Sequence, residues 1–177
     1  MTAPQERRGS IWGTRWSRHV QVWLTGKTEM LRKCIDQFAL TKDICPGLMA
    51  VAPGPLCRKS LIFPAVSQLL LTDYAFTGDK GFLRKYYDTA RGVVNYFSVY
   101  EDESGLLDRV SEKWNLVDWP ENLRDGYDFT LSRPVVAKGC HNVINALYAG
   151  AVRALTEIER ILGIPASCSF EKIRAAI

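Results

Sequence analysis

The chain has 177 residues, of which 47% are hydrophobic and 24% charged, and its formal net charge is +4. This length and composition predict one folded domain; they exclude a disordered chain and, since no run of about 18 apolar residues occurs, a membrane span. Lysines and arginines are interleaved with acids, so the positive charge predicts solvated helix faces rather than a nucleic-acid partner.

Apolar residues recur with helical spacing in six segments, and no useful length alternates with a period of two. We therefore expect an all-α fold with helices at residues 11–25, 28–40, 60–77, 80–99, 139–162 and 169–176. The tryptophans of the first helix, Trp12, Trp16 and Trp23, fall at helical spacing and should belong to the core. The fifth helix is apolar around most of its first half and should be buried on several sides.

An internal repeat with a spacing of 52 residues relates residues 25–33 to residues 77–85 without a gap. Both copies contain Thr-Gly followed by Leu-Arg-Lys, which predicts a helix that ends at the glycine and a second helix just after it. Thr28 and Asp79 are the expected N-caps of those second helices. The repeating unit is therefore a helical hairpin with a long return loop.

Three such hairpins are visible, and a closed (α/α)6 ring needs six, so we expect about half of an (α/α)6 barrel. Residues 1–10 read as a flexible terminus of this single partial domain. An open arc leaves apolar flanks without partners, which favours self-association through the unpaired edges.

The five cysteines are odd in number and form no CxxC pair. They predict free thiols in a reducing compartment and hence a cytoplasmic protein without a secretory signal. With two histidines and no paired cysteines, we expect no structural zinc site.

Residues 101–136 form a long segment with little helical periodicity and a strongly acidic composition, nine acids against four bases. Loops of this length are usually functional or disordered, and the aromatic content argues against disorder. Carboxylates beside exposed indoles suit a sugar, whose apolar face stacks on a ring while its hydroxyls bond to carboxylates. A solvated acidic loop with tucked-in aromatics is the open alternative.

Several stretches resemble the catalytic domain of the α-L-rhamnosidases of glycoside hydrolase family 78: residues 114–129 (WNLVDWPENLRDGYDF), 139–148 (GCHNVINALY), 61–64 (LIFP), 71–74 (LTDY) and 77–79 (TGD). The similarity covers about residues 20–165, and the WNLVDWPE segment is its most specific part. The resemblance implies an (α/α)6 barrel that cleaves terminal α-L-rhamnosyl groups with inversion, without metal or organic cofactor.

The resemblance also implies site residues. Glu6 is the nearest counterpart of the family's general acid, although the acidic motif around it is degraded, and the family's general base would fall beyond residue 177. Asp118 and Trp119 match the family's Asp-Trp pair and are the expected sugar contacts. Weaker candidates for substrate binding are Trp114, Glu121 and His141; the histidine also suits a helix start.

Asn142 and Asn145 can bond either to a ligand or to the long loop, and the sequence leaves both open.

Three functions remain in competition: an incomplete rhamnosidase-like hydrolase that is inactive alone, a non-catalytic or vestigial carbohydrate-binding protein, and a helical-repeat scaffold for another protein.

Overall fold

The computed structural model describes residues 21–40, 66–108, 110 and 142–176. Their regular structure consists of the helical segment 21–25 and five helices: α1 (Glu29–Ala39), α2 (Val66–Thr77), α3 (Lys80–Ser98), α4 (Asn142–Leu162) and α5 (Phe170–Ala176). In these ranges there is no strand, and one isolated antiparallel bridge joins Glu101 to Leu107. The predicted all-α class is confirmed. No helix among the described residues has the length and apolar character that a bilayer crossing requires.

The repeat reappears as two turns of the same geometry. Gly26 and Gly78 have φ values of 68° and 65°, the left-handed conformation that glycine adopts without a steric penalty. The hydroxyl of Thr25 donates to the carbonyl of Gln21 at 2.7 Å, and that of Thr77 donates to the carbonyl of Asp73 at 2.9 Å. Each hydroxyl also accepts the N–H of the residue two places later, at 3.2 Å. The predicted helix–glycine–helix hairpin is therefore present in both copies.

The two expected N-caps differ. Asp79 accepts the N–H of Phe82 at 3.1 Å and caps α3 as predicted. The prediction for Thr28 is wrong, because its side chain makes no capping hydrogen bond. Asp79 has the extended backbone of a capping residue (φ −79°, ψ 92°), whereas Thr28 is already helical (φ −102°, ψ −7°).

The helices α2 and α4 contact each other, and α3 packs against both. The helix α1 packs on α2, and α5 packs on α4. The core between them contains aliphatic and aromatic side chains with at most 1% exposure, among them Leu31, Ile35, Leu70, Leu83, Phe97, Leu155 and Ile158. As expected, α4 is buried on several sides.

Trp23 corrects the prediction of a tryptophan stripe in the core, because 69% of its surface is exposed. Val22, with 1% exposure, occupies the inward position of this turn, so the neighbouring indole points away from the core. The indole instead makes an edge contact with Phe76 at a centroid distance of 5.1 Å. Trp12 and Trp16 lie outside the described residues.

An ion pair links the first hairpin to the second. Arg32 on α1 donates to both carboxylate oxygens of Asp73 on α2, at 2.7 and 2.8 Å, and also pairs with Asp79 at 3.0 Å. Its guanidinium carbon lies 4.5 Å from the centroid of the Phe82 ring. The bond to Asp73 is the main reason that the pKa of Arg32 is raised. We call this contact the first seam.

A second buried carboxylate links the second hairpin to the third. The hydroxyl of Tyr87 on α3 donates to Glu159 on α4 at 3.0 Å, and Glu159 also accepts the backbone N–H of Ser167 at 3.1 Å. Glu159 has 1% exposure, and the pKa of Tyr87 is raised chiefly by burial. We call this contact the second seam.

Candidate functional site

The long loop predicted at residues 101–136 begins as a tight hairpin. The N–H of Asp102 donates to the carbonyl of Leu106 at 2.8 Å, and the N–H of Asp108 donates to the carbonyl of Tyr100 at 2.9 Å. The Asp102 carboxylate accepts the hydroxyl of Ser104 at 2.6 Å and the N–H groups of Ser104 and Leu106 at 2.9 and 3.1 Å. These bonds, the hydroxyl first, lower the pKa of Asp102. We call residues 100–108 the loop root.

The tip of the loop root depends on a glycine. Gly105 has a φ of 88°, and a Cβ at this position would lie 3.1 Å from Cγ of Lys172 on α5. The ammonium of Lys172 lies 3.5 Å from the carbonyl oxygen of Asp102. The helix α5 therefore packs directly on the turn.

The loop root has two arms, one on each side of the turn, and Asn145 on α4 bonds to Leu107 in the second arm. Its Oδ1 accepts the N–H of Leu107 at 2.7 Å, and its Nδ2 donates to the carbonyl of Leu107 at 3.1 Å. Asn145 has 5% exposure and Leu107 has 1%. The sequence left open whether Asn145 contacts a ligand or the loop, and in the structure it bonds to the loop.

Tyr148, three residues later on α4, bonds to the first arm. Its hydroxyl donates to Oε1 of Glu101, and its side chain is completely buried. Burial, followed by the bond to Glu101, raises the pKa of Tyr148, so the phenol remains protonated and keeps its donor role. One face of α4 thus holds both arms of the loop root.

A cavity of about 1150 Å³ opens between α2, α4 and residues 166–171. Its walls carry a half-buried ring and several hydrogen-bonding groups, contributed by Gln68, Arg153, Thr156, Glu157, Ser167 and Phe170. Such a lining can bind a polyhydroxylated molecule. Cys168 also faces the cavity, and burial raises the pKa of its thiol, which disfavours a nucleophilic thiolate.

The side chains predicted to form the sugar site, namely Glu6, Trp114, Asp118, Trp119, Glu121 and His141, lie outside the described residues. The side chain of Asn142 does so too. The structure therefore gives the anchoring of the loop that carries four of these residues, and it places none of the six. In the part of the chain that is described, no group of three or more His, Cys, Asp or Glu side chains is arranged to hold a metal ion.

Sequence reasoning missed the roles of Glu101, Leu107 and Tyr148. The three-residue spacing of Asn145 and Tyr148 puts both on one face of the predicted helix next to the loop, which was a usable signal. The partner atoms on Leu107 belong to the backbone, so no side-chain pattern marks them.

Comparison with known proteins adds two findings. Residues 3–176 match the family model described as the bacterial α-L-rhamnosidase six-hairpin glycosidase domain. Among solved structures, the chain is similar to the GH78 family rhamnosidase of Bacillus sp. GL1, with 19% sequence identity and a TM-score of 0.61. This similarity covers 90% of the present chain and 15% of that rhamnosidase, and it shows a shared fold. No curated protein matches the sequence.

Proposed function

Because the chain belongs to the bacterial α-L-rhamnosidase six-hairpin glycosidase domain family, we propose that it binds terminal α-L-rhamnosyl groups through its long acidic loop. The match over residues 3–176 is the observation that carries this proposal. A glycosidase family implies a carbohydrate ligand, and the sequence places carboxylates beside indoles in that loop.

Asp118 and Trp119 are the proposed sugar contacts. The indole would stack on the apolar face of the pyranose, and the carboxylate would accept hydrogen bonds from the hydroxyls. Trp114, Glu121 and His141 would add contacts around them. The loop root supports this role because Asn145 and Tyr148 fix its two arms on α4, so the start of the segment that carries the proposed contacts has a defined position.

Hydrolysis with inversion would need two carboxyl groups about 6.5–9.5 Å apart, one to protonate the leaving oxygen and one to activate water. Glu6 is the proposed acid, and no residue of this chain matches the family's general base. We therefore propose that this chain, taken as a single partial domain, binds rhamnosides without turning them over. We also propose a cytoplasmic location, on the odd number of cysteines and the lack of a CxxC pair in the sequence.

Binding is tested by titrating the full chain with L-rhamnose and following tryptophan fluorescence. We expect saturable quenching that disappears in Trp119→Ala and persists in Trp23→Ala, because Trp23 is an exposed indole on the helical segment 21–25. D-glucose serves as the sugar control. Absence of any response to L-rhamnose, or an equal response in Trp119→Ala, would refute the proposed site.

Turnover is tested with p-nitrophenyl α-L-rhamnoside. We expect no release of p-nitrophenol above the rate of a buffer control, although the substrate competes with L-rhamnose for binding. Release that is lost in Glu6→Gln would show instead that the chain supplies both carboxyl groups itself.

A further inference from the structure

The cavity of about 1150 Å³ described above opens on the face of α4 that is turned away from the loop root. Gly150 and Glu157 line it, and their spacing of about two turns places both on one side of the helix. Tyr148 and Leu155, which are completely buried, lie on the opposite side. Because Tyr148 holds the first arm of the loop root, the cavity and the loop root use different faces of α4.

Gly150 lets a polar side chain of α2 reach the cavity. A Cβ added to Gly150 would collide with Nε2 of Gln68, so the Gln68 carboxamide lies directly on the backbone of α4. The wall formed by residues 166–171 contributes the half-buried ring of Phe170. The lining thus combines an amide, which can donate and accept hydrogen bonds, with an apolar ring, and a pyranose can use both.

The charges on the cavity walls are not equally paired. The Glu157 carboxylate accepts two bonds from Arg160, at 2.6 and 2.8 Å, and Glu171 pairs with Arg174 at 3.5 Å. Arg153 also lines the cavity, and it makes no ion pair with another residue of the part of the chain that the structure describes. Its guanidinium is therefore the charge that these walls can offer to a ligand.

A third carboxylate lies close to this cavity without lining it. Glu159 has 1% exposure on the core side of α4, where it accepts the hydroxyl of Tyr87 and the backbone N–H of Ser167. Its oxygens are thus committed within the second seam. The cavity therefore favours an anionic ligand, and a planar carboxylate matches the fork of a guanidinium.

We propose that this cavity binds a sugar that carries a carboxylate, namely a hexuronate. Arg153 would hold the carboxylate, Gln68 would bond to the ring hydroxyls, and Phe170 would pack on the apolar face of the ring. The carbohydrate class rests on the proposed function, whereas the anionic group rests on Arg153. The site uses none of the proposed contacts of the long loop, so a hexuronate and a rhamnosyl group would bind independently.

Saturation-transfer NMR titration of the full chain with sodium D-glucuronate measures the affinity. D-glucose is the neutral counterpart, and sodium acetate is a carboxylate without a ring. We expect D-glucuronate to bind with a dissociation constant at least about fivefold lower than that of either compound, and added NaCl should weaken its preference over D-glucose. Arg153→Gln should remove that preference, Arg153→Lys should keep part of it, and Arg84→Gln, at an exposed position on α3, should leave it unchanged.

A second variant tests the same charge from the other side. Arg160→Gln leaves the Glu157 carboxylate on the cavity wall without its partner and should weaken the binding of D-glucuronate by repulsion. Circular dichroism verifies that each variant is folded. Equal affinities for D-glucuronate and D-glucose, equal affinities for D-glucuronate and acetate, or a preference that persists in Arg153→Gln would overturn the proposal.

The two sugar sites can fail separately. Trp119→Ala should leave the binding of D-glucuronate unchanged, and Arg153→Gln should leave the fluorescence response to L-rhamnose unchanged. Loss of D-glucuronate binding in Trp119→Ala would place the acidic sugar in the long loop and would contradict a separate site in the cavity.

Discussion

The side-chain amide of Asn145 bonds to both backbone polar groups of Leu107, a residue 38 positions earlier in the chain. The arrangement imitates a strand partner, although α4 is a helix. Both groups of Leu107 lie in a buried environment, so their hydrogen-bond partners must come from the protein.

We expect Asn145→Ala to lower the free energy of unfolding by roughly 2 kcal/mol, because it leaves the N–H and the carbonyl of Leu107 buried without this partner. Urea unfolding followed by circular dichroism measures the loss. The matched control is Asn95→Ala on the exposed face of α3, which should change stability by less than about 0.5 kcal/mol. Equal effects in the two variants would contradict an anchoring role for Asn145.

The first seam should depend on its charge. We expect Asp73→Asn to cost roughly 2 kcal/mol, since Asp73 is buried while Arg32, with 29% exposure, can recover part of its hydration. Asp88→Asn removes an ion pair to Arg91 whose carboxylate is 82% exposed, and it should be nearly neutral. Chemical denaturation of both variants at neutral pH provides the comparison.

Asp36 on α1 should contribute a pH-dependent part of the stability. The hydrogen bond from Tyr86, followed in importance by the bond from Lys85, lowers the pKa of Asp36. A carboxyl whose pKa is lowered by folding stabilises the protein at pH values above the pKa of that carboxyl in the unfolded chain, which is about 3.9. That contribution is lost as the pH falls through the folded pKa.

The variant Tyr86→Phe should therefore raise the pKa of Asp36 towards its ordinary value, as measured by a carboxyl carbon NMR titration. The electrostatic part of the stability difference between the two proteins should shrink once the pH falls below the folded pKa of Asp36. Tyr74→Phe, on another helix, should leave the titration of Asp36 unchanged. If the stability difference between the parent chain and Tyr86→Phe instead grows as the pH falls, the proposed lowering of the pKa of Asp36 by folding is contradicted.

Two glycines should respond to alanine in opposite directions. Gly78→Ala forces a side chain into the left-handed conformation (φ 65°) and should cost about 1 kcal/mol. Gly92 lies inside α3, and a Cβ added there would have no neighbouring atom within 4 Å, so Gly92→Ala should add about 0.5–1 kcal/mol. Thermal melting of the two variants should shift in opposite directions relative to the parent chain.

Local signals in the sequence predicted the helices well. The ends of α2 and α4 and the start of α3 coincide with the predicted residues, because Thr77-Gly78-Asp79 and Gly163 mark the stops and starts through backbone preferences that act over a few residues. Thr28 failed as a cap for the same local reason, since its backbone is already helical and its hydroxyl cannot reach the orphan N–H groups.

Contacts between distant residues could not be predicted in the same way. The pairing of Arg32 with Asp73 and that of Asn145 with Leu107 depend on how hairpins pack, and packing is not encoded in spacing along the chain. Trp23 is exposed because Val22, and not Trp23, faces the core at this turn. The helical spacing of apolar residues in the sequence is compatible with either residue facing inwards. For the sugar contacts Asp118 and Trp119, the evidence remains their likeness to the family's Asp-Trp pair.

The aliphatic stem of Lys172 covers Gly105. It connects the final helix, far along the chain, to the base of the segment that carries the proposed saccharide contacts. A side chain at Gly105 would force the Lys172 stem to shift by a few tenths of an ångström, and it would strain the turn itself because the φ of Gly105 is 88°.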